Sequence, residues 1–279
     1  MTVYFNGEFV DKDDVSISPD DRGFVFGDGV YEVMRADRGQ FFRMDAHVRR
    51  LRRSLREIRL DGVDLEALRG AVEQLLPRNG LDDRRAKVYL QITRGAAPRR
   101  HAFPPSSTEP TVYARASVNE PPTEKWEQGV KVILRPDQRW ARCDIKSLNY
   151  LPNVLANQAA MEADAYEAVF VREGFVTEGS HSSVLAVFDG TVCAHPLTNR
   201  LLPSITRDAV LSLCRDLDIP VEETPVPAAD LPEADELMVL GTTTGVMPVV
   251  QVEDWAVGDG TPGAVTRELQ AAFHASEPA

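Results

Sequence analysis

Tight-turn signals between short apolar runs limit what this chain can fold into more than any other feature. Residues 3–10 read as a hairpin about Asn6-Gly7, because that dipeptide accepts the positive φ angles of a two-residue turn. Residues 168–171 and 175–177 read as a second hairpin across Arg172-Glu173-Gly174, and 183–188 and 191–194 as a third across Asp189-Gly190. Further strands are expected over 30–35, 88–93, 111–116, 129–134 and 236–240. Between them lie amphipathic stretches of helical period. One runs over 46–58, with Asp45 as its N-cap and His47, Leu51 and Leu55 on one face. Others are expected over 65–76, 152–163, from Leu202-Pro203-Ser204 to near Leu217, and 264–274. Hairpins mixed with helices predict an α+β fold in two domains. The polar, double-proline stretch 117–124 is the expected linker, between an N-terminal α/β domain over 1–116 and a C-terminal domain over 125–279 that carries Lys146.

Composition narrows the function. The net charge of −12 argues against broad nucleic-acid or anionic-membrane binding. No apolar run is long enough to span a bilayer, and the N-terminus lacks the basic-then-apolar pattern of a signal peptide. Cys143, Cys193 and Cys214 have neither metal-ligand nor disulfide-framework spacing, which fits a reducing cytoplasm. The five histidines show no metal-ligand spacing either, so no metal is expected. The serine-hydrolase elbow, the zinc-protease helix and the nucleotide phosphate loop are all missing.

What remains is a set of weak signals. Of 31 basic side chains only Lys12, Lys87, Lys125, Lys131 and Lys146 are lysine. Lys146 lies in Cys143-Asp144-Ile145-Lys146-Ser147-Leu148-Asn149, at the end of an apolar-flanked run and ahead of a helix uncharged in its first turns. Partial desolvation there lowers a lysine pKa and makes the amine a nucleophile; a half-buried lysine paired with Asp144 is the competing reading. Glu178 closes a buried-looking strand, where a carboxylate is costly unless paired. Ser204-Ile205-Thr206 opens a helix and offers free N–H groups to an anion, although on this segment alone an ordinary capped helix is the stronger reading. Gly241-Thr242-Thr243-Thr244-Gly245 follows a strand and offers three hydroxyls. Arg50 is one of many arginines on its helix. Arg99 and His101, two apart on a proline-containing loop, suit a carboxylate, and Tyr31 sits behind the glycine-rich stretch Gly23 to Gly29.

The order of these signals is more specific than any one of them. Asp-Arg-Gly-Phe-Val-Phe-Gly-Asp-Gly-Val-Tyr-Glu-Val, then Arg50, the Arg99/His101 loop, Cys-Asp-Ile-Lys-Ser-Leu-Asn, Thr-Glu-Gly-Ser and Ser-Ile-Thr-Arg-Asp together resemble the fold-type IV pyridoxal phosphate enzymes. Within them the chain is most similar to the D-amino acid transaminase (D-alanine aminotransferase) branch, over nearly its whole length. The resemblance implies pyridoxal 5'-phosphate as cofactor, held covalently by Lys146, with Glu178 at the pyridine nitrogen and Leu202 packed on the ring. Arg50, Ile205, Thr206 and Thr242 fall at the phosphate positions. Tyr31, Arg99 and His101 fall at the trap for the substrate carboxylate, the last two reaching in from the other subunit of a homodimer.

The implied reaction is a ping-pong transfer of the amino group of a D-amino acid, D-alanine or D-glutamate, to 2-oxoglutarate or pyruvate. Branched-chain L-amino acids or (R)-amines are the competing substrates, and a non-catalytic ligand-binding protein of the same fold is the remote alternative. Three positions depart from the family pattern. Ser183 replaces a common asparagine, His181 is unusual in its loop, and Gly241 stands where the D-specific branch often has serine.

Overall fold

A computed structural model describes residues 1–277, which divide into two compact units. The first comprises residues 1–120 and 145–149; the second comprises 121–144 and 150–277.

The first unit is a six-stranded antiparallel sheet with helices on it. Its elements are β1 (Thr2–Phe5), β2 (Glu8–Asp11), α1 (Arg22–Phe26), β3 (Gly29–Asp37), β4 (Gln40–Phe41), α2 (Met44–Glu57), α3 (Leu65–Arg78), β5 (Ala86–Thr93) and β6 (Thr111–Val118). The sheet order is β2-β1-β6-β5-β3-β4. Period-two patterning sets its faces. Ala86, Val88, Leu90 and Ile92 of β5 are buried, and pack with Leu51 and Leu55 of α2 and Leu68, Val72, Leu75 and Leu76 of α3. The first hairpin is where Asn6-Gly7 placed it, with Phe5 opposite Glu8.

Three expectations change here. The glycine-rich stretch is a one-turn helix, α1, capped by the Asp21 carboxylate on the Gly23 N–H at 2.7 Å and ended by Gly27 at φ +67°. Gly29 meets β5 so closely that a Cβ would collide with the Ile92 carbonyl. Helix α2 starts earlier than expected: Arg43, at φ +49°, is the N-cap, and Asp45 lies in the first turn, where it accepts from Arg69 Nη1 at 2.6 Å. Ser117 and Val118 belong to β6, paired with Lys87 and Ala86, so the chain leaves the first unit only at Glu120.

Lys146 also lies in the first unit, where a place in the C-terminal domain was expected. The cause is backbone pairing. Tyr31 N–H donates to the Lys146 carbonyl at 3.0 Å, Leu148 N–H donates to the Gly29 carbonyl at 3.1 Å, and Ser147 bridges Val30. Ile145 completes the attachment by joining the first unit's core.

The second unit contains α4 (Thr123–Gln128), β7 (Val130–Pro136), α5 (Leu151–Glu162), β8 (Glu167–Arg172), β9 (Phe175–Gly179), β10 (Ser183–Phe188), β11 (Thr191–Ala194), α6 (Ile205–Asp216), β12 (Val221–Glu222), β13 (Glu236–Gly241), β14 (Gly245–Val252), β15 (Trp255–Ala256) and α7 (Ala264–Ala275). Its mixed sheet runs β12-β11-β10-β13-β14-β7-β8-β9, with β15 on β14. Strands β10 and β13 are buried along almost their full length, which explains their continuous apolar runs. Strand β14 had no sequence signal, because Gly245 and Pro248 read as turn punctuation; Pro248 in fact pairs with Met238. No helix among the described residues is long and apolar enough to cross a membrane.

Candidate active site

In the first unit the chemistry gathers around Lys146. Its side chain is half-buried, and its Nζ lies 4.3 Å from the centroid of the Tyr31 ring, which stacks on Tyr89 at 5.8 Å. Its backbone N–H faces the Ser54 hydroxyl at 3.4 Å. Asp144, the partner in the competing reading, accepts a two-pronged ion pair from Arg142 at 2.9 and 3.1 Å.

Ser54 belongs to one face of α2, with His47 and Arg50 at helical spacing from it; all three are buried. Arg50 grips Glu32 of β3 with Nε on Oε1 and Nη2 on Oε2, both at 2.8 Å, and His47 Nδ1 meets Oε2 at 2.8 Å. Burial pushes the Glu32 carboxyl up, but the Arg50 charge, its hydrogen bonds and His47 more than offset it and hold the carboxyl far below its usual range. Burial lowers His47 against the pull of Glu32, and the nearby Arg50 and Lys146 charges lower it further. His47 Nε2 is buried without a hydrogen-bond partner among the described residues. A neutral ring, its proton on Nδ1 facing Glu32, satisfies that geometry.

The Arg99/His101 loop is exposed at both residues and pinned from behind. Arg22 Nη1 donates to the Arg100 carbonyl at 2.7 Å, and Arg94 lies 3.8 Å from the Phe103 ring. Asp28 holds both arginines, at 2.8 Å from each Nε. Arg99 and His101 meet at Phe26, 5.3 and 5.8 Å from its centroid. Among the described residues of one chain, neither makes a hydrogen bond, ion pair or ring contact with Tyr31 or Lys146.

In the second unit Glu178 is buried at 5% exposure. Its Oε1 takes an ion pair from Arg139 Nη1, and its Oε2 accepts the Leu202 N–H at 3.0 Å. Burial raises the Glu178 carboxyl above its ordinary value, against the lowering effect of Arg139 and the Leu202 amide. Arg139 is itself clamped by Asp137, at 2.9 Å to both Nε and Nη2, and Arg172 braces the same aspartate at 3.1 Å. Sequence reasoning missed Arg139. A buried strand glutamate requires a cation, but nothing marks which of so many arginines supplies it. Cys143 lies within the field of this cluster, and burial pushes its thiol up to about 11.

The helix start is built as its residues indicated. Ser204 caps α6, its hydroxyl accepting the Arg207 N–H at 3.2 Å. Thr206 and Ile205 are buried, and among the described residues no acceptor meets either N–H. Thr242 is half-buried on the turn between β13 and β14, and Thr244 anchors that turn through its carbonyl on Trp126 Nε1 at 2.7 Å. The site residues thus divide between the units. Tyr31, Arg50, Arg99, His101 and Lys146 lie in the first; Glu178, Leu202, Ile205, Thr206 and Thr242 lie in the second.

The family model described as amino-transferase class IV matches residues 29–252. The chain is a class IV aminotransferase. It is 42% identical to a D-alanine aminotransferase of Staphylococcus haemolyticus, over 98% of this chain and 96% of that one. It is 40% identical to a D-alanine aminotransferase of Bacillus licheniformis, over 99% and 97% respectively. Among solved structures, the branched-chain amino acid aminotransferase of Escherichia coli superposes with a TM-score of 0.89 at 26% identity, over 98% of this chain and 93% of that one. A branched-chain amino acid aminotransferase of T.th., solved with pyridoxamine 5'-phosphate, also gives 0.89, at 28% identity over 98% and 92%. The expected α+β architecture is that of the fold-type IV transaminases, and a vitamin B6 phosphate cofactor is implied for this class IV aminotransferase.

Proposed function

We propose that this enzyme moves the amino group of small D-amino acids, D-alanine or D-glutamate, to 2-oxoglutarate or pyruvate, with pyridoxal 5'-phosphate as cofactor. The observation that carries the cofactor reading is Glu178. It is a buried carboxylate with both oxygens engaged and Arg139 behind it, an acceptor that suits the protonated nitrogen of a pyridine ring. The unmet N–H groups of Ile205 and Thr206 at a helix start suit its phosphate. Full-length likeness to D-alanine aminotransferases near 40% supports the D-amino acid class over the branched-chain one, whose solved members cited above are 26–28% identical.

When bound, the cofactor supplies an electron-poor ring that stabilises negative charge at the substrate carbon. The rest is done by this chain. Lys146 would hold the cofactor through its amine; once freed, that amine would take the proton from the substrate Cα and deliver it to C4′ on the cofactor side, a general acid–base task for which a half-buried amine is suited. Arg50, Ile205, Thr206 and Thr242 bind phosphate, and Leu202 packs on the ring. Tyr31 orients the substrate carboxylate, with Arg99 and His101 contributed across a homodimer. A single carboxylate trap leaves only one enantiomer with its Cα–H aimed at the amine.

An exposed apolar face supports the dimer. Phe24 is 80% exposed, and with Tyr89, Tyr113 and Arg115 it borders an open concavity of about 920 Å³ on the first unit, a surface a second copy would cover. Its proposed compartment is the cytoplasm, which suits the free thiols of Cys143, Cys193 and Cys214.

The deciding assay offers D-alanine, L-alanine, L-leucine and an (R)-amine separately, with 2-oxoglutarate as acceptor. D-Alanine turnover is expected to exceed the others by at least about tenfold. Preference for L-leucine or for the amine would overturn the substrate assignment. Lys146→Ala is expected to abolish turnover and the visible absorption of covalently held cofactor.

A further inference from the structure

The turn that follows Glu178 is fastened to a second buried carboxylate. Glu167, the first residue of β8, is fully buried. Its Oε1 accepts the His181 backbone N–H at 2.6 Å, and its Oε2 accepts the Ser182 hydroxyl at 2.7 Å. The Ser180 hydroxyl stands 3.4 Å from Oε1, and His181 Nδ1 stands 3.2 Å from it. Gly179 closes the turn with its N–H on the Ser182 carbonyl at 2.8 Å, and a Cβ at Gly179 would collide with both the Glu167 carboxylate and the Ser182 hydroxyl. Among the described residues His181, with 39% of its side chain exposed, is the only basic group paired with Glu167.

The same cluster reaches a second loop. Ser183 pairs with Leu240, so the turn 179–182 and the turn 241–245 begin beside each other. Tyr166, the neighbour of Glu167, places its hydroxyl 3.4 Å from Thr244 Oγ1 and its ring 5.9 Å from that of His181.

We propose that Glu167, completed by His181, is a positioning residue for the cofactor-contacting loop that carries Glu178, and that its neighbour Tyr166 ties the loop that carries Thr242 to the same place. This rests on the pyridoxal phosphate reading above. A fully buried carboxylate is costly unless its oxygens are met. Here donors from one turn meet them, so carboxylate and turn fix each other's place. Without the carboxylate, the His181 N–H and the Ser182 hydroxyl lose their acceptor, and the residues next to Glu178 lose their constraint.

The test titrates the cofactor-free protein with pyridoxal 5'-phosphate, and separately with pyridoxal and with inorganic phosphate, by tryptophan fluorescence. The visible spectrum of the loaded protein is recorded alongside, since it reports the ring's protonation beside Glu178. Glu167→Ala is expected to raise the Kd for all three ligands, that for pyridoxal phosphate by about tenfold or more, and to shift the visible band. Glu167→Gln, which keeps the shape and one acceptor, is expected to recover most of the loss. His181→Asn, a change at an exposed residue that leaves folding intact, is expected to weaken pyridoxal phosphate binding by about threefold. The proposal is overturned if His181→Asn and Glu167→Gln both match wild type while Glu167→Ala only unfolds more easily, if Glu167→Gln is no better than alanine, or if only one of pyridoxal and inorganic phosphate is affected. Wild-type protein that takes up no pyridoxal phosphate overturns the parent reading and this one with it; normal uptake by wild type and by every variant overturns this one alone.

Discussion

Glu32 and Glu178 are both buried carboxylates gripped by an arginine, and their surroundings move them in opposite directions. Glu32 has the bidentate Arg50 fork and the His47 hydrogen bond, which outweigh burial; Glu178 has one guanidinium contact and one amide, which do not. Arg139→Met is expected to cost about 3–5 kcal/mol in urea unfolding by stranding Glu178 and Asp137, and to weaken cofactor retention measured by dialysis. His47 yields a pH prediction. Its folded value is lowered, so the unfolded chain binds more protons below the ordinary histidine range, and stability falls as pH drops through about 6.5. Wild type is expected to lose at most about 1.4 kcal/mol per pH unit more than His47→Gln between about pH 6.5 and 5, measured by chemical denaturation. An equal slope in the two proteins would remove His47 as the cause. At this scale the sequence drew attention to residue types that are scarce or expensive: one of five lysines among many arginines, a glutamate ending an apolar strand. Arg139 was invisible because arginine is the common base of this chain and its value lies in where it folds to.

Elements were legible where turn chemistry or helical period is strong. The hairpin about Asn6-Gly7 and the start of α6 at Ser204 are where local rules put them. Ser204→Ala is expected to cost about 1 kcal/mol of stability through the lost cap and to raise the Kd for inorganic phosphate, since the helix start is then less well ordered. The misplaced elements have separate causes, some local and some tertiary. Asp45 looks like a cap, but it lies in the first turn of α2, which begins after Arg43 in the left-handed region, and it pairs there with Arg69. Gly23 and Gly27 look like a loop, but Asp21 caps them into a helix. Pro248 looks like a breaker, but it is paired within β14. Gly95, ahead of the Arg99/His101 loop, was not singled out at all, although it sits at φ +87° with its missing Cβ aimed at the Glu109 carbonyl. Gly95→Ala is expected to lower stability by about 2–3 kcal/mol and to loosen that loop, read as faster proteolysis between residues 95 and 110.

For the whole molecule, the two-part organisation was legible from the polar, proline-rich stretch, but the membership of each part was not. Backbone pairing with β3 puts Lys146 in the first unit, and such pairing has no linear signature. Sedimentation equilibrium is expected to return the mass of two chains, and Phe24→Glu is expected to shift it toward one. The placement of residues 145–149 has a consequence for how the protein is made. The open half of β3 is closed by Lys146, Ser147 and Leu148, which are synthesised long after the rest of their sheet. The first 120 residues therefore leave the ribosome with an unpaired strand edge, the surface on which nascent chains stick to one another. The segment that carries Lys146 is also the last of these pieces to arrive, so the lysine reaches the first unit together with the closing of that strand edge.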